Sequence, residues 1–274
     1  MINSIHHLNC GSMCPYCQKL VNGTGSWLES GNIPCHCLLL DTSHGLILID
    51  TGFGTKDVQS PNKRLGRLFT SFAKPKLTLK ETAIDQIEQL GYSSKDVTHI
   101  FPTHLDVDHI GGLDDFPFAK VHIYRPEIQQ LIAPISFIEK MRFRNPPSKN
   151  CPQWVIHETT NRTWFNHAVI QPIPEISNIY LLPLIGHTKG HVGVAVKTEN
   201  KWLLHCGDAY FHRGQITDEP VPYGLKIFER MAAADKKERT KSLELLRKLY
   251  KNYDKEIEIF CAHDPKEFEY YLNK

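Results

Sequence analysis

The sequence has no apolar run approaching the roughly 20 residues that span a bilayer. Its charge nearly cancels, with 32 Lys and Arg against 30 Asp and Glu and a formal net charge of +2. The first absence argues against a membrane protein. The second removes the basic footprint expected of a nucleic-acid binder. Residues 1–11 lack a basic start followed by an apolar core, so no secretory signal is visible and the cytoplasm is the expected location. No Pro/Gly/Ser-rich stretch marks a linker, and no repeat or low-complexity tract is present. For a chain of 274 residues, this predicts one large α/β domain over 1–274. The expected partner is a small molecule, and oligomeric state leaves no mark in the sequence.

Cysteine is the residue in surplus. There are eight, and five cluster early: Cys10, Cys14, Cys17, Cys35 and Cys37. Cys14-Pro15-Tyr16-Cys17 is a C-x-x-C, and Cys35-His36-Cys37 could complete a four-ligand zinc site. The alternative is that Cys35 and Cys37 are small apolar residues on the inner face of a strand. A disulfide is disfavoured in a reducing compartment.

Apolar runs predict strands over 35–41, 45–50, 98–102, 120–124, 179–184, 192–197, 202–205 and 256–261. Several are continuous, as strands buried on both faces require. A helix is expected to start at Thr78, with Glu81 completing a capping box. It carries Ala83, Ile84, Ile87 and Leu90 on one face and stops at Gly91. A second is expected over 235–250, with Leu243, Leu246 and Leu249 at helical spacing, and a shorter one after Pro126. Residues 53–76 carry Lys56, Lys63, Arg64, Arg67, Lys74 and Lys76 against only Asp57. Residues 139–150 carry Lys140, Arg142, Arg144 and Lys149. Either loop could overhang a site and attract an anionic substrate. The simpler reading is a pair of solvated surfaces.

The densest signal is His104-Leu105-Asp106-Val107-Asp108-His109-Ile110-Gly111-Gly112. Four metal-binding side chains fall within six positions, after an apolar run and before a glycine pair. In an extended segment His104 and Asp106 share a side. A turn at Asp108-His109 would send the next two ligands to a second point, with the glycines starting a helix. Three later segments also put ligand residues at the ends of apolar stretches. They are Gly186-His187-Thr188-Lys189-Gly190-His191, His205-Cys206-Gly207-Asp208-Ala209-Tyr210 and Cys261-Ala262-His263-Asp264. With Ile49-Asp50-Thr51-Gly52, this ordered set resembles the metallo-β-lactamase superfamily of binuclear metallohydrolases over nearly the whole chain. The resemblance implies an α/β fold, a four-layer αββα sandwich, which periodicity alone does not give.

It also implies the ligands. His104, Asp106 and His187 would hold one metal, and Asp108, His109 and His263 the other. Asp208 would bridge them, since two nearby cations need an anion between them. A shared water would become the hydroxide nucleophile near neutral pH. The commonest family pattern is H-x-H-x-D-H, and position 106 here is Asp. Two divalent metals bring four positive charges, and Asp106, Asp108, Asp208 and one hydroxide offset all four. A neutral centre is a weaker Lewis acid, and the added oxygen ligand favours harder metals. Zinc is the first expectation, with iron or manganese as alternatives. The resemblance gives Asp50 the task of orienting a ligand. His191 reads as a supporting residue. Asp108 and Tyr210 are the candidate catalytic groups, Asp108 to shuttle a proton and Tyr210 to donate a hydrogen bond to oxyanion or leaving group. His212 is a weaker candidate that could also simply pack at the pocket wall.

The expected reaction is hydrolysis of an ester or lactone, since the chain looks more like the lactonases of the family than its nucleases. In those lactonases the tyrosine is displaced by one residue relative to Tyr210. Two alternatives stay open. One is a thioester hydrolase of the glyoxalase II kind. The other is a di-iron oxidoreductase, because flavodiiron members carry a carboxylate at the middle position, although no flavin-bearing domain follows here.

Overall fold

Alternation within two adjacent apolar runs decides how the layers stack. The computed structural model describes residues 2–143 and 153–274. Its strands are β1 (Ile2–Met13), β2 (Ile33–Thr42), β3 (Gly45–Ile49), β4 (Pro75–Lys76), β5 (Val97–Phe101), β6 (Lys120–Tyr124), β7 (Gln153–His157), β8 (Arg162–Trp164), β9 (His167–Val169), β10 (Ile179–Pro183), β11 (Val192–Lys197), β12 (Trp202–His205) and β13 (Ile257–Phe260). Leu38 and Leu40 of β2, with Ile47 and Ile49 of β3, pack against Ile179, Leu181, Val194 and Phe260. Leu39 and Leu48, one residue out of phase, join Ala83 and Ile87 on the opposite face. Successive strand residues point to opposite faces, so both phases being apolar means the sheet is covered on both sides.

The first sheet has the order β4-β1-β2-β3-β5-β6-β7, and the second β10-β11-β12-β13. Strands β3, β5, β6 and β7 run parallel. The outer face of the second sheet carries Leu204, Ile257 and Ile259 against Leu246 and Leu249 of the helix Lys236–Tyr253. The layers are therefore helix, sheet, sheet, helix: the αββα sandwich. Each fully buried Leu or Ile contributes roughly 1.5–3 kcal/mol by leaving water.

All eight expected strands are present, with ends shifted by at most a residue or two. The expected helix at Thr78 is corrected. Thr78 precedes a short 3-10 turn, Leu79–Glu81, and the α-helix is Ala83–Gln89. Thr82 is its cap, accepting the Asp85 backbone N–H at 3.4 Å. The hydroxyl of Thr82 lies where it can serve the first free N–H of the helix. Leu90, placed on the buried face by spacing, is 42% exposed because the helix ends before it. The helix expected after Pro126 is Arg125–Ile132. No helix among the described residues is long and apolar enough to cross a membrane.

Candidate metal centre

The parallel strands β3 and β5 end side by side, and the centre is built on the loops that leave them. Asp50 follows β3 with φ of 56°, in the left-handed region that non-glycine residues rarely adopt. That geometry turns its carboxylate across to the loop after β5. It accepts the Thr103 backbone N–H at 2.7 Å and the Thr103 hydroxyl at 3.0 Å. It also accepts His109 Nδ1–H at 2.8 Å. His109 Nε2 is thereby turned inward toward Asp208, 3.1 Å away. The Thr103 hydroxyl, spent on Asp50, can accept only from His104 Nδ1, 3.1 Å away. His263 Nδ1 donates to the Pro34 carbonyl at 2.7 Å. Three imidazoles are thus fixed by their outer nitrogens with the inner ones free, the arrangement a metal needs.

The glycines after His109 do not start the helix. The helix is Val107–Ile110, already under way at Asp108, with Asp106 at its cap. Gly111 and Gly112 allow close approach instead, for a Cβ on Gly111 would lie 2.1 Å from Asp57 Oδ2 and one on Gly112 3.0 Å from the Thr51 carbonyl oxygen. Gly190 has the same function farther on, since a Cβ there would fall 2.1 Å from the Glu127 backbone nitrogen.

Asp208 lies between two groups. Its Oδ2 is 3.3 Å from His187 Nε2 and 3.7 Å from His104 Nε2. Its Oδ1 is 3.0 Å from His263 Nε2 and 3.1 Å from His109 Nε2. Asp106 Oδ2 joins the first group, 3.0 Å from His187 Nε2 and 3.3 Å from His104 Nε2. Asp108 Oδ2 joins the second, 3.5 Å from His263 Nε2 and 3.8 Å from His109 Nε2. The structure thus brings all seven expected ligands together, in the two sets expected. His191, buried, accepts the Asp208 backbone N–H on Nε2 at 2.9 Å and so sets Asp208 in place.

The donor set fits two cations. Four carboxylates (Asp50, Asp106, Asp108 and Asp208) converge in the interior, and buried charge of one sign demands compensation. The field is visible at His109. Burial pushes this imidazole down, but Asp208, Asp50 and Asp108 outweigh it and hold it well above its ordinary value. His104 Nε2 is buried without a hydrogen-bond partner, as is Asp208 Oδ1. Such atoms are costly unless something binds them.

Other expectations are corrected. Tyr210 does not face the centre. It is fully buried, and its hydroxyl donates to Glu267 at 2.9 Å. The next residue takes the position over the metal ligands, with the Phe211 ring 5.3 Å from that of His263 and 5.8 Å from that of His187. A one-residue offset at the exit of β12 separates a core side chain from a site-facing one. His212 lines the cleft beside the centre and accepts the Gly214 N–H on Nδ1 at 3.1 Å. The early cysteines do not assemble as a four-ligand set among the described residues. Cys37 and Cys10 share one core cluster, whereas Cys35 lies within 4.8 Å of Asp108 and His263.

Several side chains of the basic loops already have partners. Lys56 pairs with Asp114 at 3.1 Å, Arg64 with Asp57 at 3.0 Å and Lys76 with Glu81 at 3.5 Å. Lys74 sits over the Tyr16 ring. Arg142 is turned inward, its side chain only 8% exposed, and pairs with Asp106 at 2.9 Å. Arg144 and Lys149 lie outside the described residues. Sequence reasoning also missed Glu127. From the helix Arg125–Ile132 this buried carboxylate accepts the Leu105 N–H at 2.9 Å and the Gly190 N–H at 3.0 Å. It thereby ties together the two loops that carry His104 and His187.

A family model described as the metallo-beta-lactamase superfamily matches residues 30–251. A "probable metallo-hydrolase" of Mycobacterium tuberculosis is 38% identical over 263 residues, covering 95% of this chain and 80% of that one. An N-acyl homoserine lactonase of Bacillus cereus is 28% identical over 212 residues, covering 77% of each chain. Among solved structures, an N-acyl homoserine lactone hydrolase, with N-hexanoyl-L-homoserine at its catalytic metal centre, superposes with a TM-score of 0.72 at 22% identity, covering 98% of this chain and 96% of that one.

Proposed function

Because this chain belongs to the metallo-β-lactamase superfamily and is a metal-dependent hydrolase, we propose that it opens an ester or lactone bond, in a small molecule with an apolar acyl group, at a centre of two divalent cations. The observation that carries this reading is Asp208, whose two oxygens each face a separate pair of imidazoles. His104, Asp106 and His187 would hold one cation and Asp108, His109 and His263 the other, with Asp208 shared. When bound, such a pair polarises a carbonyl and brings the pKa of a water near neutrality. Zinc suits the nitrogen and oxygen donors.

The chain's own residues do the rest. Asp108 is held near the reacting position on the first turn of its helix. From there its carboxylate can take up a proton and return it to the leaving oxygen. A cleft of about 200 Å³ opens beside His263 and is lined by Val21, Ile33, Phe211 and Leu225 among polar neighbours. Phe211 continues outward to Phe228 at 5.8 Å, and Phe228 to Phe72 at 6.3 Å. Phe72 is 65% exposed and Phe228 39%. This aromatic path supports an acyl chain better than an anion. The lactonase relative points to the same bond type.

The test is a panel of γ-lactones with acyl chains of increasing length, with aryl esters, thioesters and phosphodiesters alongside. The expected result is preferred turnover of lactones or esters, with KM falling as the chain grows. Phe228→Ala should raise KM for long chains about tenfold, roughly 1.4 kcal/mol of lost apolar contact. A preference for thioesters or phosphodiesters would contradict the reading.

A further inference from the structure

The middle ligand position holds a carboxylate, and a carboxylate has one more oxygen than a metal contact uses. Asp106 directs Oδ2 to His104 and His187, and Oδ1 to the Arg142 Nε at 2.9 Å. Arg142 comes from the end of the helix Phe137–Arg142, far from the ligand loop in sequence. Two of its remaining N–H donors are also committed, and Nη2 in addition lies 3.5 Å from His187 Nε2. Nη1 donates to the His187 carbonyl and Nη2 to that of Ala232, each at 2.8 Å. The guanidinium thus grips the middle ligand on one side and the neighbouring ligand's backbone on the other.

We infer that Arg142 and Asp106 form one unit that replaces the neutral ligand of the commoner pattern, Arg142 positioning Asp106 and returning the positive charge that the carboxylate removes. The inference rests on the two-cation reading above. With Asp106 as a plain ligand, two divalent cations are fully offset by three carboxylates and a hydroxide. A guanidinium in contact with one of those carboxylates restores one positive charge, as a neutral imidazole at position 106 would. The ion pair draws Oδ1 toward the guanidinium, which leaves Oδ2 as the oxygen turned to the first position. The charge balance that favoured harder metals is thereby lifted, since the centre keeps the net charge of the commoner pattern.

The pairing makes a specific demand. An imidazole at 106 offers Arg142 no acceptor and leaves a nearly buried guanidinium beside a cation. Asp106→His should therefore bind about one cation per chain, although it restores the commoner motif. Asp106→His combined with Arg142→Met should regain the second. Arg142→Met alone should keep two cations and move the acidic limb of the pH profile of hydrolysis upward by about one unit, because a nearby positive charge is gone. Metal content by elemental analysis of protein dialysed against zinc is the readout, with circular dichroism to establish folding. One cation in the single variant and two in the double supports the unit. Equal metal content in both variants, whether one or two, overturns it, as does an unmoved pH limb in Arg142→Met. A wild-type protein without two cations would instead refute the underlying two-cation reading.

Discussion

Asp208→Ala is expected to bind fewer than two cations per chain and to lose hydrolysis by roughly 10²–10³-fold, the size seen when a key electrostatic group is removed from an active site. Among the described residues Asp208 is the one carboxylate that reaches both imidazole pairs, at 3.0 and 3.1 Å on one side and 3.3 and 3.7 Å on the other. Two cations a few ångströms apart repel unless an anion lies between them. The Asp208 backbone is fixed on both sides. Gly207, at φ of +49°, holds the backbone so close to Thr103 that a Cβ would lie 2.6 Å from its hydroxyl oxygen, and His191 fixes the Asp208 N–H. Asp208→Asn keeps the shape and loses the charge, so it should fold normally and fail in the same direction. Elemental analysis and steady-state turnover check the result, and wild-type turnover in either variant would remove Asp208 from the bridging role.

Glu127→Ala is expected to lower stability by roughly 3–5 kcal/mol, a fall in melting temperature of roughly 6–15 °C for a domain of this size. The side chain is wholly buried, and burial raises its carboxyl above the ordinary range. Removing it leaves the Leu105 and Gly190 N–H groups without acceptors in a dry interior, each at about 1–3 kcal/mol. The same change frees the loops of His104 and His187 from each other. Affinity for the first cation should then fall roughly 10–100-fold, as when a partner behind a ligand is lost. Glu127→Gln retains an acceptor oxygen and should do about half the damage. Calorimetry with and without zinc measures both effects. A melting temperature within about 2 °C of wild type would show that the two loops hold without the clamp.

The candidate ligands were legible because four of them lie within six residues, and the others each follow an apolar strand. Contiguity in sequence made the site readable before its geometry was known. The strands 179–183 and 192–197 were legible for the same reason, as unbroken apolar runs. Strand β1 was not, because His6, His7 and Asn9 interrupt its apolar residues and its register slips twice against β2. Tyr210 misled because a strand exit gives no sign of which of two successive aromatics turns inward. The one-residue offset relative to the lactonase tyrosine was the available signal, and it left the direction of the displacement open. Arg142 was read as part of a solvated basic loop. Charge runs carry no information on distant partners, and its pairing with Asp106 spans 36 positions. The excess negative charge at Asp106 was the only clue that a cation had to be found elsewhere. Glu127 left no signal, since a buried carboxylate that serves backbone N–H groups looks like any first-turn glutamate.

The central claim is that one carboxylate and six flanking ligands hold two cations. Titrating the metal-free protein with zinc, and counting bound metal per chain by elemental analysis at saturation, tests it most directly. The account predicts two per chain, with hydrolysis of a lactone or ester appearing as the sites fill. Saturation at one per chain with full activity, or hydrolysis undiminished in the metal-free protein, would contradict it.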